Sequence, residues 1–208
     1  MKRILCYGDS NTWGYIPGEK KGRYGNNERW TKLLQKKLGT EYEIIEEGLN
    51  SRTLMTEDTR PGKEGRNGFT YLKPCLDSHD KIDIFVLMLG TNELKTTFDN
   101  TPSQIITMFD RFIKYLKSYK SQIDGEKFRL IVLGIPPVKE MSEDKEMSNK
   151  YLDAEIKCTQ VQALMKDYCV SHNLSYVDNS DLEVGIDGVH LTLSGHKILA
   201  DRLYEILK

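Results

Sequence analysis

Ile4-Leu5-Cys6-Tyr7-Gly8-Asp9-Ser10-Asn11-Thr12-Trp13-Gly14 is the stretch from which the rest of the chain is read. Its apolar half reads as a β-strand, and Gly-Asp-Ser ends that strand in a turn presenting one hydroxyl at its carboxyl tip. Open α/β sheets place their chemistry at that edge. A serine hydroxyl is a weak nucleophile unless a base takes its proton. Ser10 therefore calls for a histidine, a carboxylate behind it, and donors for an oxyanion. The bland alternative is a plain strand-end turn, because Gly, Asp, Ser and Asn all favour turns.

Outward from that turn, strand and helix patterns alternate. Glu28–Leu38 has apolar positions at 30, 33, 34 and 38, with Gly39 as its stop, and predicts a crossover helix. Tyr42–Glu47 reads as strand two, ending at Gly48-Leu49-Asn50-Ser51, and the polar segment from Thr56 to Gly68 reads as a loop. Phe69–Ser78 predicts a short helix interrupted or restarted at Pro74. Ile82–Leu89, the most apolar run, reads as a central strand buried on both faces and ends at Gly90-Thr91-Asn92-Glu93. Thr101-Pro102 caps a helix that continues to Tyr119.

Leu130–Ile135 is expected as strand four, Lys139–Lys150 as a charged loop, with a lid or an interface as alternatives, and Tyr151–His172 as a helix with apolar positions at Leu152, Ile156, Leu164, Met165, Tyr168 and Cys169. Leu174–Val177 is expected as strand five. Leu193–Leu207 closes the chain as a helix burying Leu199, Leu203 and Ile206. This alternation predicts a three-layer α/β/α sandwich with a mostly parallel five-stranded sheet, and a switch beside strand one makes it flavodoxin-like. The 208 residues suit one domain spanning 1–208.

In that arrangement Ser10, Ser51 and Asn92 all lie just past strand ends at one sheet edge. The backbone N–H groups of Ser10 and Ser51 with the Asn92 amide form a sufficient oxyanion hole. Asp187-Gly188-Val189-His190 supplies the base and its carboxylate on one loop before the final helix. His190 is expected to take the Ser10 proton, and Asp187 to fix the imidazole tautomer. Trp13 and Tyr15 are candidate pocket residues, equally readable as packing. Asp9 is expected to brace the turn. His79, His172 and His196 read as surface or helix-face residues. For Arg52, Arg60 and Arg66, solvation is the safer reading over contact with an anionic substrate.

Charged residues at 29% and a net charge of −1 give no basic footprint, so no nucleic acid is expected. The G-x-x-x-x-G-K-[ST] and G-x-G-x-x-G patterns of nucleotide sites are absent from the sequence. Cys6, Cys75, Cys158 and Cys169 show neither a CxxC pair nor metal-ligand spacing, which reads as reduced structural thiols. The apolar run after Met1-Lys2-Arg3 stops too early for a signal peptide, and no run approaches the ~20 apolar residues of a membrane span. A cytoplasmic protein without membrane partner, metal or organic cofactor is therefore expected.

Gly8-Asp9-Ser10, Gly90-Thr91-Asn92 and Asp187-x-x-His190 resemble blocks I, III and V of the GDSL-type SGNH hydrolases. The stretches 4–14, 46–49 and 88–92 are further similar to the bacterial arylesterase and acyltransferase branch of that family. The resemblance implies a Ser-His-Asp serine esterase acting on short-chain carboxylic esters, acetyl or aryl, with acyl transfer as a further capacity. Small-molecule esters are the implied partners, and some members are oligomers, which keeps a homo-oligomer open. A carbohydrate O-deacetylase or a lysophospholipase-type lipase would use the same machinery, and a non-catalytic flavodoxin-like binding module is the rival from another class. Block II departs from the common Asn-x-Gly-x-Ser-Gly: the chain reads Glu46-Glu47-Gly48-Leu49-Asn50-Ser51, which moves the expected donor to Ser51, with Gly48 the less favoured register.

Overall fold

The computed structural model describes residues 1–140 and 144–208. Five strands, β1 (Lys2–Gly8), β2 (Tyr42–Gly48), β3 (Ile84–Met88), β4 (Arg129–Leu133) and β5 (Ser175–Val177), form one sheet. All pairings are parallel and the order is β2-β1-β3-β4-β5. The helices are α1 (Ser10–Trp13), α2 (Trp30–Leu38), α3 (Gly68–Ser78), α4 (Pro102–Ser118), α5 (Lys145–Lys150), α6 (Ala154–Ser171) and α7 (Leu193–Leu207).

The period of two along the strands separates two apolar layers. Leu5, Tyr7, Phe85, Leu87 and Val132 face α3, α4 and α6, whereas Ile4, Cys6, Ile84, Val86 and Ile131 face α2 and α7. Both faces of the central strands are covered, which is why β3 is apolar throughout. All four cysteines are free and buried in these layers. Burial raises the Cys6 thiol far above its ordinary range, as expected of a packed residue rather than a nucleophile.

Helix starts follow the local chemistry. Thr101 accepts from the Gln104 N–H at 3.3 Å while Gln104 accepts from the Thr101 N–H at 2.8 Å, a reciprocal capping box ahead of Pro102. Asn67 caps α3 by accepting from Phe69 and Thr70.

Several expectations are corrected. Helix α3 runs through Pro74 without interruption; Pro74 and Thr70 are both exposed, so water can satisfy the carbonyl that Pro74 leaves without a donor. Strand β3 begins at Ile84 rather than Ile82, and β4 ends at Leu133 rather than Ile135. Helix α6 starts at Ala154, because Asp153 is left-handed at φ 58°. Its buried face is Ala154, Cys158, Val161, Met165 and Cys169, while Leu152, Ile156 and Leu164 are exposed. In α7, Leu199, Leu203 and Leu207 are buried, and Ile206 is only partly covered. Within the expected loop or lid Lys139–Lys150, residues 145–150 are helical and 141–143 lie outside the described residues.

Candidate active site

Register brings the site together. Gly8 of β1 pairs with Gly48 of β2 and with Met88 of β3, so three strands end level. Ser10, Ser51 and Asn92 follow those ends by two, three and four residues, and each enters the same cavity of about 300 Å³. Gly48 is required there, since a Cβ would stand 2.3 Å from the Trp13 backbone nitrogen.

Asp9 caps α1, its Oδ1 accepting from the Asn11 N–H at 2.9 Å, which fixes the turn that carries Ser10. This is the bracing expected of Asp9. Burial pushes its carboxyl up to about 6, with the Asn11 N–H and the nearby His190 opposing. At the N1 position of α1 the Ser10 N–H has no intrahelical acceptor. Ser51 is left-handed at φ 65°, and among the described residues no acceptor takes its N–H. Its conformation is held by the Leu49–Arg52 turn, whose Arg52 N–H donates to the Leu49 carbonyl at 3.0 Å.

Asn92 lies in a single 3₁₀ turn, Thr91–Leu94, after β3. Its Nδ2 donates to the Arg52 carbonyl at 2.9 Å, which leaves a second amide hydrogen for a ligand. The Tyr151 hydroxyl donates to Asn92 Oδ1 at 3.3 Å and so fixes which end of the amide is the donor.

His190 stands opposite. Its Nε2 is 2.9 Å from Ser10 Oγ and its Nδ1 is 2.6 Å from Asp187 Oδ2. The carboxylate can only accept, so Nδ1 carries the hydrogen and Nε2 is free to accept from the serine. Asp187 Oδ1 accepts from the Val189 and His190 N–H groups at 3.1 and 3.0 Å. Burial raises the Asp187 pKa, but the His190 hydrogen bond and charge outweigh it, and the net shift is downward. Tyr15 packs on the imidazole with centroids 4.3 Å apart and lines the cavity. Trp13 does not line it; the Arg23 guanidinium lies 5.0 Å over its ring.

Four further residues were not singled out by the sequence. Asn11 spans the site: Nδ2 donates to the Val189 carbonyl at 3.2 Å and Oδ1 accepts from the Leu191 N–H at 2.9 Å, tying the histidine loop to α1. Tyr151 sets the Asn92 amide. Glu93 is fully buried and accepts from the Leu54 and Met55 N–H groups, joining the loops that carry Ser51 and Asn92. Burial pushes its carboxyl to about 7. Lys95 lines the cavity while only 5% exposed. Of these, only Asn11 has a local signal, its place directly after Ser10 in the 8–14 turn.

Other expectations change. Arg52 is 2% exposed rather than solvated, donating to the Gly8 carbonyl at 3.1 Å and stacking 4.1 Å over the Tyr7 ring. Arg60 is held by Asp58, and Arg66 is half-buried. His196 is fully buried in α7 rather than on the surface, with Nδ1 accepting from the Trp30 N–H at 3.3 Å. His79 pairs with Glu47 at 2.9 Å, and His172 stacks on Tyr168 as a helix-face residue.

A hydroxyl, an imidazole and a carboxylate in hydrogen-bonded series, beside convergent N–H donors, are the parts of a serine hydrolase on a doubly wound sheet. Comparison with known proteins agrees. The model of the GDSL-like lipase/acylhydrolase family matches residues 4–203. The M. smegmatis aryl esterase is 30% identical and superposes with a TM-score of 0.91, covering 100% of this chain and 98% of its own. A carbohydrate acetylesterase from Sinorhizobium meliloti is 29% identical with a TM-score of 0.91 over the same shares. A lipase/acylhydrolase from Enterococcus faecalis shares the fold at 17% identity, with a TM-score of 0.70 covering 100% of this chain and 95% of that one. No curated protein sequence matches. The chain belongs to the GDSL-like lipase/acylhydrolase family and is a carboxylic ester hydrolase.

Proposed function

We propose that the protein hydrolyses short-chain carboxylic esters, acetyl or aryl, with Ser10 as nucleophile, His190 as general base and Asp187 as its orienting partner. The observation that carries this is the continuous Asp187–His190–Ser10 hydrogen-bonded series opening into a small cavity. As Ser10 Oγ attacks the carbonyl carbon, its proton passes to His190 Nε2 and the carbonyl oxygen becomes an oxyanion. The Ser10 and Ser51 N–H groups and the Asn92 amide stabilise that charge. Collapse breaks the bond to the alcohol, which leaves with the His190 proton, and water repeats the sequence to release the acid. An alcohol in place of water would give acyl transfer.

The cavity volume of about 300 Å³ favours small acyl groups. A carbohydrate ester is the second reading, favoured by the similarity to the S. meliloti carbohydrate acetylesterase. A cytoplasmic location is favoured by four free, buried thiols; among the described residues no helix is long and apolar enough to cross a membrane.

The test is intact mass after treatment with a fluorophosphonate, alongside hydrolysis of p-nitrophenyl esters from acetyl to octanoyl. One adduct, lost in Ser10→Ala, with rates falling as the chain lengthens, is the expected result. An adduct retained in Ser10→Ala excludes Ser10 as the nucleophile.

A further inference from the structure

The wall of the cavity facing Ser10 is far more cationic than ester hydrolysis requires. Lys20, Lys63, Lys95 and Lys150 all line it, against a single carboxylate, Glu146. Glu146 is already engaged, one turn from Lys150 on α5 with 2.6 Å between Oε1 and Nζ. The excess positive charge is therefore carried by Lys20, Lys63 and Lys95, of which Lys63 and Lys95 flank the Ser51 and Asn92 segments. Lys63 Nζ stands 3.3 Å from the hydroxyl of Ser51, on the oxyanion side of the site. Lys95 follows Asn92 by three residues.

Lys95 is the informative one. It is 5% exposed, and among the described residues no carboxylate forms an ion pair with it. Asp58, an acid whose charge acts on it, has both oxygens on Arg60, at 2.8 Å from Nε and 2.6 Å from Nη2. Burial, together with the like charges of Arg60, Lys63 and Lys150, pushes the Lys95 ammonium down to about 8 against the opposing pull of Asp58, and the other carboxylate that feels Lys95, Asp9, is itself buried and pushed up to about 6. Burying a cation among like charges is unfavourable unless an anion completes the cluster. The second face of the same group opens on a neighbouring cleft lined by Arg60, Thr96 and Asn149, which extends the cationic surface beyond the serine.

We propose that the physiological ester carries an anionic substituent, a carboxylate or a phosphate or sulfate, seated between Lys63 and Lys95 a few bonds from the scissile carbonyl. This rests on the esterase reading above and narrows its substrate class. The two lysines come from different segments, the 56–68 loop and the turn after β3, so they close on the ligand from two sides. An anion there would also supply the counter-charge that the cluster lacks, and would orient the carbonyl toward the Ser51 and Asn92 donors. Binding of this kind appears in KM, whereas the reacting bonds are those of any acyl-enzyme cycle.

The test compares esters that differ only in charge, using the full-length protein. 4-Nitrophenyl hemisuccinate against 4-nitrophenyl butyrate places the anion on the acyl side; 4-acetoxybenzoate against its methyl ester, and 4-acetoxyphenyl phosphate against 4-acetoxyanisole, place it on the alcohol side. The expected result is that at least one anionic ester exceeds its neutral partner in kcat/KM by about tenfold or more, as a charge-assisted contact supplies. The pair that responds locates the anion and separates carboxylate from phosphate. The anionic-to-neutral ratio should fall toward one in Lys95→Met and Lys63→Met, which keep an unbranched apolar stem and remove the charge; because the ratio is taken within each variant, a general loss of activity does not disturb it. Inorganic phosphate should compete with substrate in the wild type and lose that effect in both variants. Turnover of the neutral esters with ratios at or below one throughout would overturn the anionic substrate and leave the esterase intact. No turnover of any ester, together with no fluorophosphonate adduct, would overturn the esterase reading and this one with it.

Discussion

Asp187 uses both carboxylate oxygens on its own loop, one on the imidazole and one on two backbone N–H groups. The D-x-x-H spacing therefore does two jobs: it shapes the loop and it fixes the histidine tautomer. Asp187→Asn should keep the loop but present an amide N–H to Nδ1, moving the hydrogen to Nε2, where it blocks proton transfer from Ser10. A fall in kcat of about 10⁴ is expected with a short-chain p-nitrophenyl ester. A loss smaller than about tenfold would remove Asp187 from the proposed machinery. At this scale the residues of the proposed machinery were legible, because Ser, His, Asp and Asn announce their chemistry. Asn11, Tyr151 and Glu93 were not, since each works by joining segments far apart in the chain: Asn11 reaches residues 189 and 191, and Tyr151 reaches Asn92.

The elements place those residues through register. Gly8, Gly48 and Met88 stand side by side, and the close approach of β2 to α1 leaves no room for a Cβ at Gly48. Gly48→Ala must push α1 and Ser10 away from the sheet edge. Its expected effect is a loss of about 1–3 kcal/mol in denaturant melts and a kcat lower by up to about 10², the cost of a displacement near 1 Å. Wild-type values for both would show that the contact relaxes without moving the serine. Element existence was readable from periodicity, whereas faces and ends were less so. Helix α6 shows why: Leu152 and Ile156 look like core residues at helical spacing, but the left-handed Asp153 resets the phase, and the smaller Ala154 and Cys158 are buried instead. Pro74 misled for the opposite reason, because an exposed carbonyl four residues earlier tolerates the missing donor.

Across the whole molecule, the layer between the sheet and α2 and α7 encloses His196, and burial with the nearby charges of His190 and Arg29 pushes its imidazole down to about 3. Such a group binds a proton more readily when unfolded, so the stability it supports is lost as pH falls below ~6.5, at up to ~1.4 kcal/mol per pH unit. Glu93, at about 7, and Asp9, at about 6, act in the other direction. Their folded forms hold protons more tightly, so they gain stability as pH falls toward the ordinary carboxylate range, ~4. The three partly cancel between about 4 and 6.5, and only His196 continues to destabilise below that window. In urea melts, His196→Gln should cost about 1–3 kcal/mol at neutral pH, and the gap to wild type should narrow as the pH falls from 7 to 4. A gap that stays constant would show that His196 is not the source of the acid loss.

The sequence by itself determined the alternation of strands and helices, the parallel sheet, and the three motifs that carry the serine, the asparagine and the Asp-His pair, because strand apolarity, turn chemistry and side-chain type are local properties. The tertiary structure alone decided the rest. It assembled the motifs by aligning strand ends at Gly8, Gly48 and Met88, took Arg52 and His196 out of solvent, excluded Trp13 from the cavity lining while leaving Tyr15 in it, and gathered four lysines around one mouth. Burial and proximity are sums over segments as distant as residues 10 and 190, and no local pattern contains them.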